Sequence, residues 1–143
     1  MRIKKEYSAG GVILQPDENN EAQILLIRIR KDAYELPKGH IEDNETAQMT
    51  AVRECIEEVG IENKLTAHQE LGSISYSFSC EKHIVEKSVS YFLISSPEAI
   101  RYRKPKRTRE VRWINQRELH SVNLVNDELI PIIESAFSCR TKI

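Results

Sequence analysis

Apolar residues recur along this chain at two spacings, and the changes of spacing divide it into elements. Tyr7 to Leu14 reads as a strand, with Gly10-Gly11 predicting a close-packed or bulged start. Pro16 to Glu21 is polar and holds the turn pair Asn19-Asn20. Gln23 to Arg30 is rich in β-formers. There Leu26 should face away from Ile27, and Arg28 and Arg30 should share Leu26's side. Tyr34-Glu35-Leu36 is short and extended and stops at Pro37. Lys38 to Asn44 reads as a loop. Thr46 to Val59 has helical spacing and ends at Gly60, a left-handed cap. Leu71 to Phe78 and Ser88 to Ser95 alternate as strands around a turn at Glu81 to His83. Pro97 to Thr108 is polar and basic, and Glu110 to Ile114 is a last short strand. Asn126 is placed to cap a final helix, with Asp127 and Glu128 in its first turn. The stripe of that helix is Leu129, Ile132, Ile133, Ala136 and Phe137. Strands on either side of one helix, followed by a closing helix, predict an α/β fold layered around a mixed sheet. No linker divides the chain, so a single domain over 1–143 is expected.

Composition narrows the classes without choosing one. Apolar residues make up 40% of the 143 residues and charged residues 30%, which excludes a wholly disordered chain. The net charge of −1 gives no bulk attraction to nucleic acid or to a membrane surface. Apolar runs such as Ile24 to Ile27 fall far short of the ~20 residues that span a bilayer. Met1 to Glu6 lacks an apolar core segment, so no secretory signal is expected. Cys55, Cys80 and Cys139 are far apart and odd in number, against both a disulfide framework and a zinc knuckle. Three thiols of this kind suit a reducing cytoplasm.

The chemistry concentrates on the first helix. At about 100° per residue, Val52, Cys55, Ile56 and Val59 form one side and are expected to face the core. Glu54, Glu57 and Glu58 fall within an arc of roughly 100° on the other side. Like charges at i, i+3 and i+4 repel, and Arg53 alone cannot neutralise three of them. A solvated acidic face is one reading. The other is a hard divalent cation such as Mg²⁺, which takes oxygen ligands and is completed by substrate phosphates. Gly39, in the loop that Pro37 stiffens, lets a backbone carbonyl approach a ligand closely. Glu45, near the helix start, can reach back to the first turn. Together they form a loop-helix unit of oxygen donors without sulfur.

Gly39, five residues, Glu45, seven residues, then Arg53-Glu54-Cys55-Ile56-Glu57-Glu58-Val59-Gly60-Ile61 resembles the Nudix box, with every fixed position filled over 23 residues. Cys55 is the one departure, standing where a larger aliphatic residue is usual. It is a small hydrophobe, so packing rather than chemistry should feel the change. Tyr7 to Leu14, Leu36 to His40 and Glu110 to Trp113 also look like Nudix segments. The resemblance implies an α/β/α sandwich with a mixed sheet, the box helix on one side and the C-terminal helix on the other. It implies a pyrophosphohydrolase that cleaves a nucleoside diphosphate linked to another group X. By this resemblance Glu54, Glu57 and Glu58 hold Mg²⁺ or Mn²⁺, often with the carbonyl of Gly39. Arg53 orients the glutamates and Glu45 supports the loop. The proton acceptor is Glu57 or Glu58 on the helix, or Glu110 on a distant segment.

Pro37-Lys38-Gly39-His40 is similar to the run found in diadenosine tetraphosphate hydrolases and their relatives, so a dinucleoside polyphosphate is the expected substrate. A nucleoside triphosphate, as in nucleotide-pool sanitising, and an RNA 5′ end are alternatives within the enzyme class. A nucleotide sensor without turnover is the alternative outside it. Lys38 and His40 are candidate phosphate contacts, or simply solvated loop residues. Lys87 is a third candidate, or a strand-end charge. Tyr76 and Tyr91 could stack a base or pack the core with hydroxyls at the rim. Trp113 should pack under the sheet edge. Arg101, Arg103, Lys104, Lys106, Arg107 and Arg109 crowd one stretch. That stretch is a solvated loop or a flap that draws in a long polyphosphate.

Overall fold

Unbroken burial along the central strands, with alternate residues on opposite faces, builds a sheet with two apolar faces. The computed structural model describes residues 2–29, 32–103 and 107–139, so the readings of Arg30, Lys104 and Lys106 lie outside the described residues. The strands are β1 (Arg2–Pro16), β2 (Ala22–Arg28), β3 (Lys38–His40), β4 (Thr66–Cys80), β5 (His83–Ser95) and β6 (Glu110–Asn115). They form one sheet in the order β4-β5-β1-β2-β6, with β3 added on β1. β1 runs parallel to β5, from Arg2 opposite His83 to Ile13 opposite Ile94. The pairings of β1 with β2, β1 with β3, β2 with β6 and β4 with β5 are antiparallel. β1 therefore serves two half-sheets. Its first part pairs with β5 and β3, and Leu14 to Pro16 pair with β2.

Each face is covered by one helix. Ala9, Ile13, Leu25, Ile27, Phe92 and Ile94 pack on α1 (Ala47–Val59) through Ala51, Cys55 and Val59. Val12, Leu14, Ile24, Leu26, Val89, Tyr91 and Leu93 pack on α2 (Leu129–Ser138) through Leu129, Ile132, Ile133, Ala136 and Phe137. The architecture is an α/β/α sandwich with a mixed sheet, and Leu26 and Ile27 face opposite helices as expected. Among the described residues no helix is long and apolar enough to cross a membrane.

Several local expectations change. β3 occupies part of the stretch read as a loop, because Lys38, Gly39 and His40 find partners in Gly10, Ala9 and Ser8. The Gly10-Gly11 pair is close-packed and not bulged. A β-carbon on Gly10 would collide with the carbonyl of Pro37, and one on Gly11 would lie 2.7 Å from Cys55 Sγ. Register shifts occur instead in β4, between Ala67 and Gly72. α2 begins later than read: Asn126 Oδ1 accepts from Glu128 N at 2.9 Å, so Asp127 and Glu128 form a turn ahead of Leu129. Trp113 is partly buried against the α1-side core and donates from Nε1 to the Tyr102 hydroxyl.

Candidate active site

The ends of α1 set the site's frame. Thr46 Oγ1 accepts from Met49 N at 3.1 Å, capping the first turn. Gly60, at φ 79°, closes the last turn with its N–H on the carbonyl of Ile56 at 2.8 Å. The buried line of the helix is Ala51, Cys55 and Val59, while Val52 and Ile56 are only partly covered. The expected core face is thus rotated. The glutamates do not stand opposite it; Glu54 and Glu58 flank the buried line, and Glu57 points outward. Glu54's side chain is 14% exposed and Glu57's is 58% exposed.

Arg53 organises this surface. Its Nε and Nη2 grip Glu45 in a fork at 2.8 and 3.0 Å. Nη1 bridges Glu54 at 2.9 Å and Glu57 at 3.4 Å, and Nη2 also reaches the carbonyl of His40 at 3.0 Å. Glu45 takes two more bonds, from Thr50 Oγ1 at 2.7 Å and Glu42 N at 3.1 Å. The Arg53 guanidinium, first among these partners, holds the Glu45 carboxyl down at about 2. Glu45 is therefore a fixed anion that locks the loop to the helix.

Glu58 is the opposite case. Its Oε1 accepts from Lys38 N at 3.0 Å, while Oε2 is enclosed without a partner. Burial pushes its carboxyl above the usual range, against the pull of that backbone bond. Burial also raises Glu54, although Arg53 opposes it. Gly39 lies so close beneath Glu54 that a β-carbon there would collide with the carboxylate. Among the described residues no three acidic, imidazole or thiol groups converge into a finished ligand cage, since Arg53 holds Glu54 and Glu57 to itself. An orphaned carboxylate oxygen, a glycine pressed against a second carboxylate and a set of hard oxygen donors nevertheless fit a divalent cation.

Two hollows meet here. The first, about 340 Å³, is lined by Glu54, Glu58, Gly39, Lys38, His40 and Lys87, with Ser8, Ile29, Glu35, Glu42 and Arg107 completing the wall. The second, about 650 Å³, lies on the α2 side and shares Glu35 and Lys38 with the first. Ile74, Tyr76, Val89, Tyr91, Val125 and Leu129 give it apolar walls, and Asn126 adds a polar group. Tyr76 is 44% exposed and stacks on Phe78, with ring centroids 6.4 Å apart. Tyr91 is 3% exposed and packs mainly in the core.

Glu110 stands apart. Its carboxylate binds Arg28 Nε at 3.0 Å, that bond keeps its pKa low, and it is not among the described residues that line either hollow. Sequence reasoning passed over Glu35 and Asn126 and did not separate Arg107 from its basic neighbours. The only signal for Glu35 was its place two residues before Pro37.

The sequence pattern of the NUDIX domain matches residues 4–134. The chain belongs to the NUDIX family. A Mycobacterium tuberculosis (strain CDC 1551 / Oshkosh) protein that carries the name mutator protein MutT4 is 37% identical over 134 residues, 90% of this chain. The chain spans only 53% of that protein's length. An 8-oxo-dGTP diphosphatase of Proteus vulgaris is 33% identical over 98 residues, covering 66% of this chain and 80% of its own. Among solved folds, a C. elegans Ap4A hydrolase in a binary complex superposes with a TM-score of 0.71 at 20% identity, covering 96% of this chain and 99% of its own. At that identity the match speaks for the NUDIX fold alone.

Proposed function

We propose that this NUDIX chain hydrolyses a pyrophosphate bond in a nucleoside polyphosphate, with a divalent cation, Mg²⁺ or Mn²⁺, held by Glu54, Glu57, Glu58 and the Gly39 carbonyl. The observation that carries this reading is the junction of the two hollows. An acidic cleft with a buried unpartnered carboxylate oxygen opens, through Glu35 and Lys38, onto an apolar hollow of nucleoside size. When bound, the cation neutralises phosphate oxygens and lowers the pKa of an attacking water. The protein's own groups do the rest. Lys38 and Lys87 draw the phosphates in as point charges, with His40 at the rim. Tyr76 offers its exposed ring to a base, and Tyr91 forms the floor beneath it. Arg53 holds Glu54 and Glu57 in place, and Glu45 fixes Arg53. The proton acceptor is Glu57 or Glu58 on the helix. Glu110 serves less well, being committed to Arg28.

The Pro37 to His40 run supports diadenosine tetraphosphate as substrate. The names of the two sequence relatives support a second reading, a damaged nucleoside triphosphate. The test is a product-analysed panel with Mg²⁺: diadenosine polyphosphates, nucleoside triphosphates including oxidised ones, nucleotide sugars and 5′-triphosphate RNA. Metal-dependent release of a mononucleotide from one of them is expected. Glu57→Gln should lower that turnover by orders of magnitude without unfolding the chain. Binding of nucleotides without turnover would leave a sensor. Near-native activity of Glu57→Gln at saturating Mg²⁺ would overturn the metal assignment.

A further inference from the structure

The basic stretch sorts itself once its partners are known. Arg101 Nη1 meets Glu98 at 3.2 Å, and Arg103 Nε meets Glu62 at 2.7 Å, both on the surface beside the end of α1. Arg107 differs from both. It lines the cleft that holds Glu54 and Glu58, together with Lys38 of β3 and Lys87 of β5. Its charge also acts on Glu58, favouring the ionised carboxylate.

What puts Arg107 there is the unfinished end of a helix. The last carbonyls of α1 have no intrahelical donors. Thr108, nearly buried, donates its hydroxyl to the carbonyl of Glu58, and Arg103 N donates to the carbonyl of Gly60 at 2.6 Å. Arg109 N then reaches the carbonyl of Arg28, at the end of β2, at 2.8 Å. Thr108, next to Arg107, is thus tied through its hydroxyl to the helical turn that carries the cleft's carboxylates, and Arg109 to the end of β2. The side chain itself is exposed, so its guanidinium is free to meet a ligand.

We propose that Arg107 is a phosphate-binding residue of this site, and that Thr108 is the positioning residue that sets it against Glu58. The inference rests on the proposed pyrophosphohydrolase reading and deepens it. Lys38, Lys87 and Arg107 approach the cleft from three separate elements. Of the three, only Arg107 can offer two parallel N–H donors to one phosphate. A phosphate gripped this way is held in orientation as well as attracted, so the loss should reach the chemical step.

Turnover of the best substrate in the panel is measured for Arg107→Ala, Arg107→Lys, Thr108→Val and Thr108→Ser, with Arg101→Ala and Arg103→Ala as controls. Arg107→Ala should lower kcat/KM at least 30-fold, with part of the loss in kcat. Arg107→Lys should recover under a tenth of that loss, and added guanidinium should partly rescue Arg107→Ala. Thr108→Val should lower kcat several-fold with KM little changed, and Thr108→Ser should restore it. The controls should stay within twofold. A parallel titration with a methylene-bridged, non-hydrolysable nucleotide and Mg²⁺ reads binding whether or not turnover is found. There, Arg107→Ala should weaken affinity at least tenfold. Absence of turnover in the parent protein would refute the hydrolase reading and leave this binding result to decide about Arg107. Unchanged binding and unchanged kcat/KM in Arg107→Ala would overturn the inference.

Discussion

Glu58→Gln should separate stability from function at a single atom. In the parent, Oε1 is satisfied by Lys38 N at 3.0 Å and Oε2 is buried without a partner. Glutamine keeps the acceptor and replaces the orphaned anionic oxygen with a neutral amide. An unsatisfied buried polar group costs about 1–3 kcal/mol. The new amide is itself poorly partnered, so the net gain is taken at the low end, about 1 kcal/mol. For a chain of this size that raises Tm by roughly 3 °C. The sign depends on pH. Burial raises Glu58's pKa in the folded chain, so the parent carries no penalty below the unfolded value of about 4.3. The penalty grows as pH rises from there to the raised folded value, and is complete above it. The variant's advantage should therefore be present at pH 7.5 and shrink toward pH 4. Divalent cation should reverse the order. A metal at a hundredfold over its Kd stabilises the parent by about 2.7 kcal/mol, roughly 8 °C, and the variant by much less. The assay is thermal unfolding of both proteins in chelator and in Mg²⁺, beside turnover. A Glu58→Gln protein less stable than the parent in chelator by more than about 1 kcal/mol, or one that keeps the full Mg²⁺ shift, would refute the reasoning.

The remaining predictions concern the frame around that atom. Gly39→Ala forces its new carbon into the Glu54 carboxylate. It should cost about 1–3 kcal/mol of stability and abolish the Mg²⁺ shift in Tm, which a calorimetric scan would report. Glu45→Gln removes a carboxyl held at about 2 by Arg53. The parent's stability from that group is present above the ordinary carboxylate range and is lost as pH falls toward 2, so the variant's acid unfolding curve should be flatter there. Cys55→Val should stay within about 1.5 kcal/mol and keep activity. The thiol is fully buried and burial raises its pKa, so a maleimide should label Cys80 and leave Cys55 untouched in the folded protein.

What the sequence made legible followed from period and spacing. The apolar runs of β1, β2 and β5 were readable because those strands bury both faces, one against each helix, and the stripe of α2 because that helix buries one face against the sheet. The box residues were readable because loop and helix hold them together locally, within one stretch of chain. Non-local facts were harder. Lys38 to His40 has loop composition, yet it becomes a strand because β1 supplies partners distant in sequence. Val52 and Ile56 looked like core because they are aliphatic, and nothing local shows that Ala51 takes the central place beneath the sheet. Glu35 was invisible as a site residue, and Arg107 could not be told from its basic neighbours, for the same reason. One lies in an extended segment bridged to Ile27, the other in a loop fastened to the carbonyl of Glu58.

The rotation of α1 explains how one helix carries both a core and the proposed metal-binding surface. Had Glu54, Glu57 and Glu58 stood opposite the buried line, all three would be solvated, with ordinary pKa values and little reason to hold a cation. Turned to flank it, two of them are drawn under the loop and partly stripped of water, which raises both. Glu57 stays outside, where Arg53 can steady it. The desolvation that makes Glu54 and Glu58 unfavourable as bare anions is what a divalent cation would relieve on binding. The small residues Gly39 and Ala51 permit this arrangement. One leaves room for the Glu54 carboxylate, and the other lets the helix sit low on the sheet. Metal affinity at the proposed site would then be set less by the number of glutamates than by how deeply α1 is seated. Substitutions that lift the helix, such as a larger side chain at Ala51, should weaken metal binding without touching a ligand.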